Sequence, residues 1–467
     1  MNTLRIPIGI VAILLHFSSI QAQEVEAEKI PSIKMLRAEE SYSFLKNDEP
    51  GRIFLQPLKL LPVTESKNVY LTLGGEYRAR FESFTNKDYT PENDSYYSQR
   101  LDIHASLTIG SRLRFFGELY HGYTSGENRP IEDDQLDLHQ GFLELTLFNR
   151  ASSSLQLRAG RQELGFGISR LVGIREGPNM RRSFDLIKFA YKRQNRSLNI
   201  IYGKELSYGF DAFDNESNLF DKDGPNPELW GIYIQNNSQE HIINLDYYYL
   251  GFHSGASLFN DVAGDETRHS LGVRSHGSAG KFSFNSELIY QFGDIANSNI
   301  SAYNFETDWK YRLMDTGWKP KAGLRLDFSS GDSRVEDGKI QTFNPLFVNP
   351  AIYSLAGVNT PANLTSLHPN LTLYPAKNFS IYVDYALFYR TQLNDGLYTP
   401  PRFLLREAGE TSEKHIGDVI GLQIQYELNR NISMDLRSSY FIAGRFIKAT
   451  GQSENTFYLA PTINFKF

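Results

Sequence analysis

Residues 455–467 read NTFYLAPTINFKF, so that Phe457, Leu459, Pro461, Ile463, Phe465 and Phe467 alternate with Tyr458, Ala460, Thr462, Asn464 and Lys466. A period of two sends successive side chains to opposite faces of a strand. Alternation that stops on Phe is how a strand reads when one face meets lipid and the other a wet lumen. The segment by itself also fits the edge strand of a soluble sheet. Repetition along the chain separates the two readings.

Alternation of this kind predicts about eighteen strands, near 69–83, 97–109, 112–124, 136–147, 153–164, 183–192, 197–206, 228–237, 242–251, 267–276, 280–293, 299–311, 319–330, 364–374, 378–391, 414–427, 431–443 and 455–467. Each has the length that a tilted membrane strand needs. Between them, short turns rich in turn formers (109–112, 148–152, 235–240, 428–431) are interleaved with long segments (84–96, 125–135, 165–182, 207–227, 252–266, 331–363, 392–413). A soluble sandwich has no reason to segregate its connections in this way. The predicted fold is all-β, a transmembrane antiparallel β-barrel with short periplasmic turns, long extracellular loops and, by the even strand count, both ends in the periplasm.

Export is predicted by the first 23 residues, with Arg5 as a basic start, an apolar run from Ile6 to Phe17 and a small, polar exit from Ser18 to Ala22. This is the pattern of a signal peptide cleaved near Ala22. Residues 24–68 are expected to form a periplasmic lead-in and 69–467 the barrel. Cys is absent, so no disulfides or lipid anchor are available, and stability falls to the sheet itself. A mean hydropathy of −0.40 suits a wide barrel, in which half of each strand faces water. The 27 Tyr and 32 Phe suit aromatic girdles at the two membrane interfaces.

Strand parity assigns faces. In 69–82, Val69, Leu71, Leu73, Tyr77 and Phe81 oppose Thr72, Glu76, Arg78, Arg80 and Glu82; in 98–109, Leu101, Ile103 and Leu107 oppose Arg100, Asp102, His104 and Ser106. A Lys or Arg on the lipid side near the midplane costs about 2–4 kcal/mol, so the charged sets face the lumen. The same parity adds Arg158, Arg325 and Arg437 to the lumen. Parity switches near Gly141 and Gly160; a bulge at Gly160 would turn Arg161 inward.

From residue 158 the run RAGRQELGFGISRLVGIREGPNMRRSFDLIKF closely resembles the central signature of the alginate export family of outer-membrane barrels. Matches in the same order are RAEESY (37–42), YLTLGGEYRARFE (70–82), QRLDIHASL (99–107), LDLHQGFLEL (136–145), ELWGIYI (228–234), IYQFGD (289–294), FNPLF (343–347) and PANLTSLHPNLTLYP (361–375). The resemblance implies a monomeric eighteen-stranded barrel, an anionic polysaccharide such as alginate as substrate, and an electropositive constriction narrowed by inward-folding loops. It carries the anion-contacting role onto Arg100, Arg161, Arg181, Arg182 and Arg390. Guanidinium suits that role because it stays charged and forks to carboxylates. The competing role for each of these arginines is an ion pair that braces the wall.

The expected function is diffusion of an acidic polysaccharide or oligosaccharide through an arginine-lined lumen. The alternative is a general or small-acid-selective uptake porin; an outer-membrane enzyme ranks below both. No GxSxG, HExxH or EF-hand pattern accompanies His104, His139 or His368, so no catalytic residue, metal or cofactor is expected. Expected partners are outer-membrane lipid and lipopolysaccharide, the barrel assembly machinery, the anionic saccharide and periplasmic export components. Dispersed basic residues do not indicate nucleic acid.

Overall fold

The computed structural model describes residues 31–467 apart from 48–52, 127–128, 218–225, 239, 261, 358 and 401–402; the predicted signal peptide lies outside the described residues. Eighteen antiparallel strands form the wall. They are β1 (Val69–Thr85), β2 (Asp94–Ile109), β3 (Leu113–Thr124), β4 (Asp134–Arg150), β5 (Ser153–Gln162), β6 (Phe184–Arg193), β7 (Arg196–Glu205), β8 (Glu228–Asn236) and β9 (Asn244–Phe259). The second half comprises β10 (Val262–Ala279), β11 (Phe282–Ile295), β12 (Ser298–Arg312), β13 (Lys321–Ser329), β14 (Leu364–Ala376), β15 (Phe379–Arg390), β16 (His415–Glu427), β17 (Ile432–Ala443) and β18 (Thr456–Lys466). Each pairs with the next, and β18 closes on β1 through pairs such as Tyr77 with Phe465 and Arg78 with Asn464. Closure leaves no unpaired edge, which is what lets a sheet cross a bilayer.

All eighteen predicted strands are present, seven of them longer than predicted. The expected long loop at 252–266 is not there. β9 and β10 run out to Phe259 and Val262 as a tight hairpin, with one register shift between Ser254 and Ser257. That stretch is rich in Gly, Ser and Asp, which propensity reads as loop, whereas two neighbouring backbones can still satisfy each other there.

Parity holds through most of the wall. Arg78 and Arg100 are 1% and 0% exposed, while Phe81 and Ile103 between them on the outer face are 43% and 53% exposed. The switch in β4 is a bulge at His139, because Glu118 pairs with Gln140 and Leu119 already with Leu138. His139 and Gln140 are therefore both buried. No bulge occurs at Gly160: β5 and β6 stay in register through Gly160 with Leu186 and Arg161 with Asp185. Arg161 consequently takes the outward parity of Ile187 and Phe189, not the inward one expected of it.

Beyond β18, Phe467 continues the ladder by exchanging backbone hydrogen bonds with Gly75 at 3.0 and 3.2 Å. Its ring covers that glycine; a Cβ on Gly75 would lie 3.1 Å from Cε1. The register gives Phe467 the outward face of Tyr77 and Phe465. Phe467→Asp should reduce the yield of heat-modifiable barrel in membranes several-fold while leaving the conductance of the folded fraction unchanged. A charge near an interface costs only about 0–1 kcal/mol, so the loss should appear in assembly rather than in the stability of finished barrels. Wild-type yield of folded mutant would refute this.

Candidate functional site: the occupied lumen

Two loops and the N-terminal segment enter the barrel. The 163–183 loop brings Leu164, Phe166, Leu171 and Val172 into one buried cluster with Phe343, Leu346 and Phe347 of the 330–363 loop and the inward wall residues Leu186, Tyr233, Tyr248 and Phe252. The loops join by a parallel bridge between Val172 and Phe347, in which Gly173 N and Phe347 N each donate across at 2.9 Å. Irregular backbone at membrane depth is tolerated where protein surrounds it. Arg170 pins the first loop to the far wall through Glu306 of β12 at 2.7 Å and Glu287 of β11 at 3.7 Å.

On the opposite side, parity and register set Arg78 of β1 beside Arg100 of β2. Glu176 of the 163–183 loop reaches both: its Oε1 lies 3.0 Å from Arg100 and 3.9 Å from Arg78, and its Oε2 accepts from Arg181 Nε. Arg100 also holds Glu76 at 2.9 Å, and Arg181 holds Glu163 at 3.3 Å and the Tyr120 hydroxyl at 3.2 Å. Asn179 fixes the loop; it accepts from Arg78 at 2.9 Å and donates to the Glu132 carbonyl at 2.9 Å. Several charges buried together persist only when each finds partners. Here three carboxylates and three arginines supply them.

The remaining predicted arginines divide. Arg80 pairs with Glu82 at 3.1 Å and holds the Gly177 carbonyl at 2.5 Å. Arg182 pairs with Glu205 at 2.7 Å and lies over the Phe347 ring at 5.2 Å. Arg158 joins Glu144 at 2.5 Å and Glu39 at 3.0 Å. Arg325 borders a cavity of about 160 Å³ with Tyr382 and Asp384, and Arg437 pairs with Asp435 at 2.8 Å. Arg161 pairs with Asp185 at 3.1 Å on the outer side of the wall, off the path. Arg390 donates to five backbone carbonyls, those of Leu393, Asp395, Ala408, Thr411 and Glu413, and stacks on Phe446 at 3.9 Å. Both terminal nitrogens clasp the 391–414 loop, and the remaining Nε is buried. One ring of arginines therefore does not form.

Residues expected as a periplasmic lead-in also enter the lumen. Arg37 donates to the Gly75 and Phe467 carbonyls at 3.1 and 2.6 Å, and Arg114 holds the Ala38 carbonyl at 2.7 Å. Ala38 is buried with Phe116 and Phe142 of the wall. Met35 offers its carbonyl to Arg181 at 3.1 Å. A cavity of about 470 Å³ opens beside this segment at the short-turn end, bordered by Arg37, Glu39, His104, Arg114, Arg158 and Lys192. Sequence reading passed over Arg37, Arg114 and Arg170. Arg37 stands in the RAEESY match and Arg170 in the central signature, but loop residues carry no parity that would assign them a face.

A profile for alginate export matches residues 69–460. The chain belongs to the alginate export family. No curated protein matches it significantly in sequence. Among solved structures, the Pseudomonas aeruginosa porin OpdO superposes with a TM-score of 0.58 at 10% identity, over 85% of this chain and 97% of that one. P. aeruginosa OccK2 (OpdF), solved in complex with glucuronate, gives 0.55 at 10% identity over 85% and 98%, and P. aeruginosa OccD3 (OpdP) 0.56 at 13% over 88% and 93%. Likeness at this identity shows the barrel fold. Family and fold together make this alginate export family member an outer-membrane channel of the porin type and not an enzyme. His139 and His368 serve the wall, hydrogen-bonded to Glu163 at 3.1 Å and Ser366 at 2.9 Å.

Proposed function

We propose that the channel passes anionic saccharides, alginate-like acidic polysaccharide or oligosaccharide, by exchange of carboxylates on lumen arginines. The observation that carries this reading is Glu176, a loop carboxylate within 4 Å of Arg78, Arg100 and Arg181. Glu39 on Arg158 repeats the arrangement on the N-terminal segment. A uronate presents the same group and competes for the same forked donors, while several weak sites permit transit where one tight site would trap. The glucuronate-bound state of OccK2, a barrel of the same fold, supports the solute class. The second reading is a small-acid uptake porin. It is favoured by the subdivided lumen, whose cavities of about 470 and 160 Å³ suit small solutes better than a polymer.

The test is reversal potential in planar bilayers under a KCl gradient, with uronate oligomers and neutral oligosaccharides as blockers. One unit charge at about 8 Å in water is worth about 0.5 kcal/mol, roughly twofold in local ion concentration, and more beside a low-dielectric wall. Glu176→Gln should therefore strengthen anion preference by at least that ratio, Arg182→Glu should weaken it, and Arg161→Glu should leave it unchanged. Block by acidic but not neutral sugars is expected. Cation selectivity unaltered by all three substitutions would leave the arginines as braces and remove the proposal.

A further inference from the structure

Asp102 and His104 of β2 and Glu118 of β3 face one another on the lumen wall, and no ion pair described above satisfies them. His104 and Glu118 are direct cross-strand partners, with Asp102 one inward position along. One donor atom of each lies within 4.8 Å of the other two. All three residues are at most 2% exposed. Asp102 Oδ1, His104 Nδ1 and Glu118 Oε1 have no hydrogen-bond partner among the described residues. Three unpartnered buried polar atoms in one cluster are costly unless something fills it.

We infer that these three side chains form a binding site for a divalent transition-metal ion of the zinc class. One imidazole nitrogen with two carboxylates is a donor set suited to zinc, whereas calcium and magnesium favour oxygen alone. The 3.9 Å between His104 Nδ1 and Glu118 Oε1 exceeds the roughly 3.4 Å edge of a zinc tetrahedron with bonds of about 2.0–2.1 Å, a gap that a small rotation of Glu118 closes.

The surroundings fit an ion held there. Gly74 leaves room for the imidazole, since a Cβ at that position would lie 2.4 Å from His104 Nε2, and Phe116 stacks on the ring at 5.5 Å. Gln140 holds the other Glu118 oxygen at 2.5 Å. Of the nearby cations, Arg37 is turned to the Gly75 and Phe467 carbonyls, Lys59 to the Leu73 carbonyl at 2.9 Å, and Arg100 gives its Nη2 to Glu76 and Glu176. Arg100 Nε lies 3.9 Å from Asp102 Oδ2, beyond hydrogen-bond distance, and Oδ1 has no partner. His104 borders the 470 Å³ cavity, which gives an ion a path from the short-turn end.

The experiment titrates untagged full-length protein, refolded in detergent and stripped with EDTA, with ZnCl2 by calorimetry and with CoCl2 by visible absorption. One equivalent should bind, with a loss of at least tenfold in affinity in His104→Ala and Glu118→Gln, both checked for heat-modifiable folding, and a smaller loss in Asp102→Asn. If either variant fails to fold, zinc K-edge absorption of the wild type decides: a shell with one imidazole and oxygen donors supports the site. No binding, or binding of equal strength in folded His104→Ala and Glu118→Gln, overturns it and leaves the cluster holding protons.

Discussion

Replacing residues 343–357 with a short Gly-Ser linker should raise single-channel conductance several-fold. That segment carries Phe343, Leu346 and Phe347, which are 1–4% exposed in the cluster that joins both loops to the wall inside the lumen. Full burial of such side chains is worth about 1.5–3 kcal/mol each, so three hold the closed arrangement by about 5–9 kcal/mol. At tenfold per 1.4 kcal/mol, the loop is then detached in fewer than one molecule in a thousand. The replacement keeps Asp332, Thr342 and Asn363, which anchor the neighbouring loop through Asp395 and residues 392–396. Phe347→Ser should give an intermediate result, with noisier current as the two loops separate and rejoin. Unchanged conductance in both would mean that ions already pass around the loops.

Arg181→Met should destabilise the folded barrel far more than Arg182→Met. Arg181 is shared by Glu163 and Glu176; Glu176 keeps Arg100, but Glu163, whose side chain is 0% exposed, loses its arginine partner and is left in a water-poor interior at about 3–5 kcal/mol. Arg182 has a single carboxylate partner, Glu205, whose side chain is 16% exposed and can be solvated when released. The readout is the temperature at which the folded band disappears on an electrophoretic gel, or the urea midpoint in detergent. Adding Glu163→Gln to Arg181→Met should restore part of the loss, because groups in one network do not act additively. Equal effects of the two arginine substitutions would mean that water already reaches Glu163.

The wall was legible because its rule is local. Each strand carries a period of two, and a misplaced charge on the lipid side is penalised wherever it occurs, so parity alone assigned Arg78, Arg80, Arg100 and Arg158 to the lumen, where they are buried. Connection lengths placed turns and loops at opposite ends for the same reason. Legibility failed where a residue's surroundings come from distant chain. Arg161 hinged on whether Gly160 adds a residue to the strand, and only pairing with β6 decides that. Arg390 ends a strand with the right parity, yet the loop after it folds back and takes both of its terminal nitrogens.

The amino-acid sequence by itself determined the barrel, its strand number, the face of most wall residues and the family, since these follow from short-range alternation and ordered motifs. The tertiary structure alone decided what fills the lumen. Residues 163–183, 330–363 and 35–40 have no periodicity to reveal an inward path, and their places depend on contacts such as Val172 with Phe347 and Arg37 with Gly75. The meeting of Asp102, His104 and Glu118 is likewise a matter of cross-strand register between β2 and β3. Register depends on which turn closes a hairpin and which face is buried, so neither strand carries it alone.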